Sequence, residues 1–111
     1  MKTLSISNTS EISVKFTLKE GVVNKLFAFS FTAERLDQDE ITERLEDKNK
    51  KVKDFMAEVI KGWSGQRLVL EDNGEPAEFS QEALAMMLNV MGVGRILFDA
   101  YLKDCGAKEK N

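Results

Sequence analysis

Among side chains able to carry a reaction, this 111-residue chain has one cysteine, 19 carboxylates and no histidine. A nucleophile needs a base within hydrogen-bond reach, so Cys–His, Ser–His and histidine–zinc arrangements all lack an essential member. Cys105 has no second cysteine to pair with, and its place near the end of the last expected helix suits a small buried or capping thiol. The carboxylates fall in turns or on helix faces expected to be solvated, without the apolar surroundings that raise a carboxyl pKa for acid–base work. Glu71-Asp72-Asn73-Gly74-Glu75 lacks the alternate-position oxygens of a calcium loop. Gly92-Val93-Gly94 precedes a helix and could face an anion, but reads more simply as a tight helix–helix turn. No GxGxxG, Walker or GxSxG sequence occurs. The expectation is a non-enzymatic protein with no catalytic residue, cofactor or metal.

Length and charge narrow the class further. A chain of this size is expected to form one domain, over residues 1–105, with a disordered tail over 106–111. Charged residues make up 32% and the formal net charge is −3, a mixed surface without the basic excess that marks nucleic-acid binding. The one basic cluster, Lys48-Asn49-Lys50-Lys51-Val52-Lys53, follows the acidic run 43–47 and reads as half of a salt-bridged helix face. No apolar run approaches the ~18 residues of a membrane span. The start Met1-Lys2-Thr3-Leu4-Ser5 lacks a signal-peptide apolar region, so the expected compartment is the cytoplasm of a bacterial host cell.

The elements that would position any site follow from periodicity. Ile12, Val14, Phe16 and Leu18 alternate with polar residues, and after a turn at Lys19-Glu20-Gly21 a return strand places Phe27, Phe29 and Phe31 on one face. Leu4 and Ile6 suggest a short additional first strand. A helix is expected from its cap Asp37 to Gly62, with Ile41, Leu45, Val52, Phe55, Met56, Val59 and Ile60 at helical spacing. Glu46–Lys50 and Asp47–Lys51 stand at the favourable i,i+4 spacing. Its stripe lapses at Lys48 and Asn49: one continuous helix with a solvated middle is preferred, two helices meeting near Asn49 the alternative. Leu68-Val69-Leu70 suggests a short strand before the Asp72-Asn73-Gly74 turn. Ser80 should cap a helix with Ala83, Leu84, Met87, Leu88 and Met91 on its buried face, stopped by Gly92. The last helix, from Val93 to Asp104, is apolar on nearly every side. It is either the central helix of the domain or a helix with one face packed on another subunit. Trp63 is either a core or hinge aromatic with its N–H bonded to a carbonyl, or a partner-binding residue. The expected fold is α+β: an N-terminal antiparallel hairpin or small sheet covered by three helices, one long and two short.

One resemblance adds a specific function. The order Gly62-Trp63-Ser64-Gly65, Asp72-Asn73-Gly74-Glu75-Pro76, Phe79-Ser80-Gln81-Glu82-Ala83-Leu84 and an apolar run through Val93 and Tyr101 resembles the tail assembly chaperones of long-tailed phages and prophages. The likeness spans Phe55 to Tyr101. It implies a protein that holds the long helical tape measure protein in solution, aids polymerisation of the tail tube protein around it, and leaves the finished tail. Such work needs exposed apolar surface with adaptable side chains, for which Leu97, Phe98, Tyr101, Leu102, Met86 and Trp63 are the candidates. Phe27, Phe29 and Phe31 are the candidates for self-association into a homo-oligomer. The family also implies a longer form made by −1 ribosomal frameshifting, and Glu109-Lys110-Asn111 is compatible with a slippery A AAA AAC heptamer. A structural tail or tail-completion subunit forming a homo-oligomeric ring is the alternative. A small enzyme or nucleic-acid binder is the third, and no catalytic cluster or basic face in the sequence favours it.

Overall fold

A computed structural model describes residues 1–47 and 51–107. Its elements are β1 (Thr9–Glu20), β2 (Val23–Glu34), α1 (Gln38–Glu46), α2 (Val52–Val59), β3 (Ile60–Ser64), α3 (Gln81–Leu88) and α4 (Val93–Cys105). The strands form one antiparallel sheet in the order β1-β2-β3, and the chain is an α+β protein.

β1 and β2 pair along their full length, from Thr9↔Glu34 to Glu20↔Val23. The turn between them is the two residues Gly21 and Val22, one position later than the sequence suggests. Gly21 has φ of 63° and Val22, like every non-glycine among the described residues, has a negative φ, which is the type II′ pattern whose twist matches that of paired strands. Alternation works as expected: Ile12, Val14 and Phe16 of β1 and Phe29, Phe31 and Ala33 of β2 are buried on one face. Phe27 is half-buried there, stacked on Phe16 with ring centroids 5.9 Å apart.

The helix expected from Asp37 to Gly62 is divided. Asp37 caps α1 as anticipated, its Oδ1 accepting from the Glu40 N–H at 2.9 Å. Asp47 and Lys51, on either side of the division, both have extended backbone, so they cannot stand as an i,i+4 helical pair. The expected Glu46–Lys50 pair and the Lys48-Asn49 junction lie outside the described residues. The lapse in the apolar stripe is the physical reason: a helical middle with nothing to bury gains little from tertiary packing. α1 buries no residue completely. It is tied down by Arg44, which donates to Glu58 on α2 at 3.0 Å and lies 3.8 Å from Glu40 on its own helix.

α2 stops at Val59, before Gly62, because Ile60–Ser64 leaves the helix to become β3. That strand pairs Ser30↔Ser64, Phe31↔Trp63 and Thr32↔Gly62, with a bulge between Thr32 and Ala33 that readmits Ile60 opposite Ala33. Pairing gives the backbone of β2 a second partner and drives Ile60 completely inside. The strand suggested at Leu68-Val69-Leu70 is only a single bridge, Leu70↔Pro76, and Leu4 and Ile6 form no strand and are exposed.

Ser80 caps α3, its Oγ accepting from the Ala83 N–H at 3.0 Å. Ala83, Leu84, Met87 and Leu88 are buried as expected, but α3 ends at Leu88 and Met91 is 93% exposed. Gly92, at φ 86°, provides the left-handed residue from which α4 departs, so Gly92-Val93-Gly94 is a helix–helix turn. α4 packs on β1, with α2 and α3 against it. α4 thus lies on the phenylalanine-rich sheet face with α2 and α3 packed against it, and the described residues hold four helices because the one long helix expected is two. Gly106 and Ala107 are irregular, and the remainder of the anticipated disordered tail lies outside the described residues.

Candidate functional site

The apolar residues of α4 singled out from the sequence are mostly interior. Leu97 and Tyr101 are fully buried and Phe98 nearly so. The Phe55 ring meets those of Phe98 and Tyr101 edge-on, at centroid distances of 5.7 and 5.8 Å. The Tyr101 hydroxyl donates to the Glu34 carbonyl at 2.9 Å, fastening α4 to the end of β2. Burial holds its phenol pKa above the ordinary value, with the nearby Cys105 adding to the effect. Burial likewise pushes the Cys105 thiol up, against the lowering influence of Arg35. Of Leu97, Phe98, Tyr101 and Leu102, only Leu102 reaches solvent appreciably, at 39%. α4 is therefore the central helix of the domain, and Leu97, Phe98 and Tyr101 offer a partner no surface while the chain is folded. The same correction applies to Phe29 and Phe31, which are core residues; Phe27 alone of that trio is half-open, with the Lys25 ammonium 5.7 Å from its ring centroid.

Met86 is different. It is 57% exposed and stands on the wall of a groove of about 480 Å³ between α2 and α3. Ala57 and Ala85 leave the space between the two helices open, and Leu88 contributes a further apolar side chain. Lys53 and Asp54 from α2 and Glu82 from α3 give the groove a charged rim, with Lys53 Nζ donating to Asn89 Oδ1 at 3.4 Å. The small residues at positions 57 and 85 were the signal for this groove in the sequence. Each looks unremarkable until the two helices are set side by side.

Trp63 is half-buried against the core and anchored to the loop that follows it. Its indole N–H donates to the Ala77 carbonyl at 3.1 Å and its ring meets Phe79 edge-on at 5.2 Å. The residue that organises this region is one the sequence did not single out, Gln66, which is 2% exposed. Its amide nitrogen donates to the carbonyls of Val69 and Ala77 at 2.9 and 3.0 Å. Its oxygen accepts from the N–H groups of Leu68 and Val69 at 3.0 and 2.9 Å. Around this side chain the acidic turn is closed by Glu71 N–H to the Glu75 carbonyl at 2.8 Å, Gly74 N–H to the Glu71 carbonyl at 2.9 Å and Ala77 N–H to the Val69 carbonyl at 2.9 Å. The Asp72-Asn73-Gly74-Glu75-Pro76 motif is thus a hydrogen-bonded loop, with Gly74 at φ 87° supplying its tight return. Gln66 supplies the acceptor for the Leu68 and Val69 N–H groups and a second donor to the Val69 and Ala77 carbonyls.

Among the described residues, no three cysteine, aspartate or glutamate side chains converge as a metal site would require. The α2/α3 groove combines an apolar wall of Ala57, Ala85, Met86 and Leu88 with the polar side chains of Lys53, Asp54, Glu82 and Asn89. The fold defines the class: a small α+β protein whose three-stranded antiparallel sheet is backed by helices. No protein-family model, curated protein or solved structure matches the chain.

Proposed function

We propose that this chain is a non-enzymatic phage or prophage tail assembly chaperone. In this reading it binds amphipathic helices of the tape measure protein, keeps that client soluble, and releases it as the tail tube protein polymerises. The supporting observation is the groove between α2 and α3, where exposed Met86 lies among Ala57, Ala85 and Leu88. An amphipathic helix docks by laying an apolar stripe into such a groove, and a methionine wall adapts to stripes of varied shape. Lys53, Asp54 and Glu82 on the rim would meet the charged flanks of the helix and contribute more to register and encounter than to affinity. Several copies along one client would multiply a weak single-site affinity.

The test is co-expression with the product of the long helical reading frame expected downstream of this gene. The client should stay in the soluble fraction and co-elute with the chain, and Met86→Asp should abolish both effects while leaving the circular dichroism spectrum unchanged. A client equally soluble without the chain, or unaffected by Met86→Asp, overturns the proposal. The alternative of a structural or tail-completion subunit is favoured by the long hairpin, whose outer strand pairs with no further strand among the described residues. Mass spectrometry of purified particles separates the two, because a chaperone is absent from finished tails and a structural subunit is retained.

A further inference from the structure

The outer edge of β1 is long, open and patterned. Within a two-residue hairpin the closing pair Glu20/Val23 exchanges both backbone bonds, and bonded pairs then recur at every second residue through Phe16/Phe27 and Ile12/Phe31. The N–H and C=O groups of Glu11, Ser13, Lys15, Thr17 and Lys19 accordingly point away from β2. Among the described residues no strand pairs with them, since β1 is the end of the sheet. The N-terminal segment does not cover them: Leu4, Ile6, Ser7 and Asn8 gather beside Arg35, Leu36 and Asp37, at the Thr9 end of the strand. An open edge of this length is a template for another strand.

We propose that the β1 edge pairs with β1 of a second copy of this chain, antiparallel about a two-fold axis at Ser13, into a continuous six-stranded sheet with three strands from each copy. The charges select both the occupant and the register. With Ser13 on the axis, Glu11 faces Lys15 of the partner subunit, Lys15 faces Glu11 of the partner subunit, and Thr9 faces Thr17 of the partner subunit. Moving the axis to Lys15 sets two lysines face to face, and moving it to Glu11 sets two glutamates face to face. Moving the axis by one residue, to Ile12 or Val14, keeps the buried face but sets Glu11 opposite Ser13 of the partner subunit or Thr17 of the partner subunit, so both opposite-charge pairs are lost. The Ser13 register is thus self-complementary, with two opposite-charge pairs and no like-charge pair. Isologous pairing requires such a pattern of a surface that meets itself. The inference does not rest on the chaperone reading and concerns a different surface.

Sedimentation over a concentration series, with side-chain cross-linking, tests it. The expected result is a dimer whose dissociation constant rises about tenfold or more in Glu11→Lys and in Lys15→Glu, because each change places like charges opposite one another twice. The double variant, carrying both reversals, should recover the wild-type constant. Both positions are exposed, so folding is unaffected. In a Cys105→Ser background, Ser13→Cys should form an intermolecular disulfide and Thr17→Cys alone should not, while Thr9→Cys combined with Thr17→Cys should. A monomer throughout the series overturns the proposal. So does a dimer indifferent to the single reversals, or one that cross-links through Thr17→Cys alone.

Discussion

Replacing Gln66 by alanine tests the structural role assigned to the loop from Gly65 to Ala77. The side chain makes four hydrogen bonds of 2.9 to 3.0 Å inside the protein, but their loss is unequal. The Ala77 carbonyl keeps the Trp63 indole N–H, and the Val69 carbonyl keeps the Ala77 N–H. The N–H groups of Leu68 and Val69 lose the acceptor given them by Gln66. Val69 is buried and its amide would be stranded, whereas Leu68 is half-buried and can be partly rehydrated. At about 1–3 kcal/mol for a stranded buried amide, plus a smaller amount for the second and for the void left behind, the expected destabilisation is about 2–4 kcal/mol. For a domain of this size that corresponds to a fall in Tm of roughly 8–15 °C. Urea unfolding followed through Trp63 fluorescence measures it, because the ring sits against the same loop. Hydrogen exchange should also show the Leu68 and Val69 amides losing protection before those of β1 and β2. A destabilisation of less than about 0.5 kcal/mol, the usual range for a surface substitution, would refute the account of Gln66 as the organiser of this loop.

Tyr101→Phe should cost about 1 kcal/mol near neutral pH through loss of the bond to Glu34. The raised phenol pKa favours folding while the group is protonated, so that part of the stability is present below about pH 10 and is lost as pH rises through the folded value. The gap between wild type and Tyr101→Phe should therefore narrow above about pH 10 in urea titrations, and a gap that widens there contradicts the burial argument. Phe98→Asp combined with Tyr101→Asp should unfold the whole chain by circular dichroism, because both side chains lie against Phe55; a folded variant would place them outside the core. Met86→Asp should change stability by less than about 0.5 kcal/mol, its side chain being exposed, so any loss of client binding reports on the groove alone.

The sequence was sufficient wherever the physics is local. Period-two alternation in Ile12, Val14, Phe16 and in Phe27, Phe29, Phe31 specifies strands with one apolar face, and a face that apolar must be covered. Asp37 and Ser80 cap the helices that follow them because the bond they make spans only three residues. Tertiary structure decided what depends on distant partners. Ile60 fits a helical stripe as well as a strand, and it is the open edge of β2 beside Ser30–Ala33 that claims it and ends α2. Leu97, Phe98 and Tyr101 have the same composition as a docking face, and only the approach of Phe55 and β1 makes them interior. Gln66 gives no sign in the linear pattern, since its four partners come from a loop that closes around it. Hydrophobic period and capping chemistry act over one or two turns of chain. Which apolar surface ends inside is settled by competition among all the faces seeking cover, and that is a property of the assembled fold.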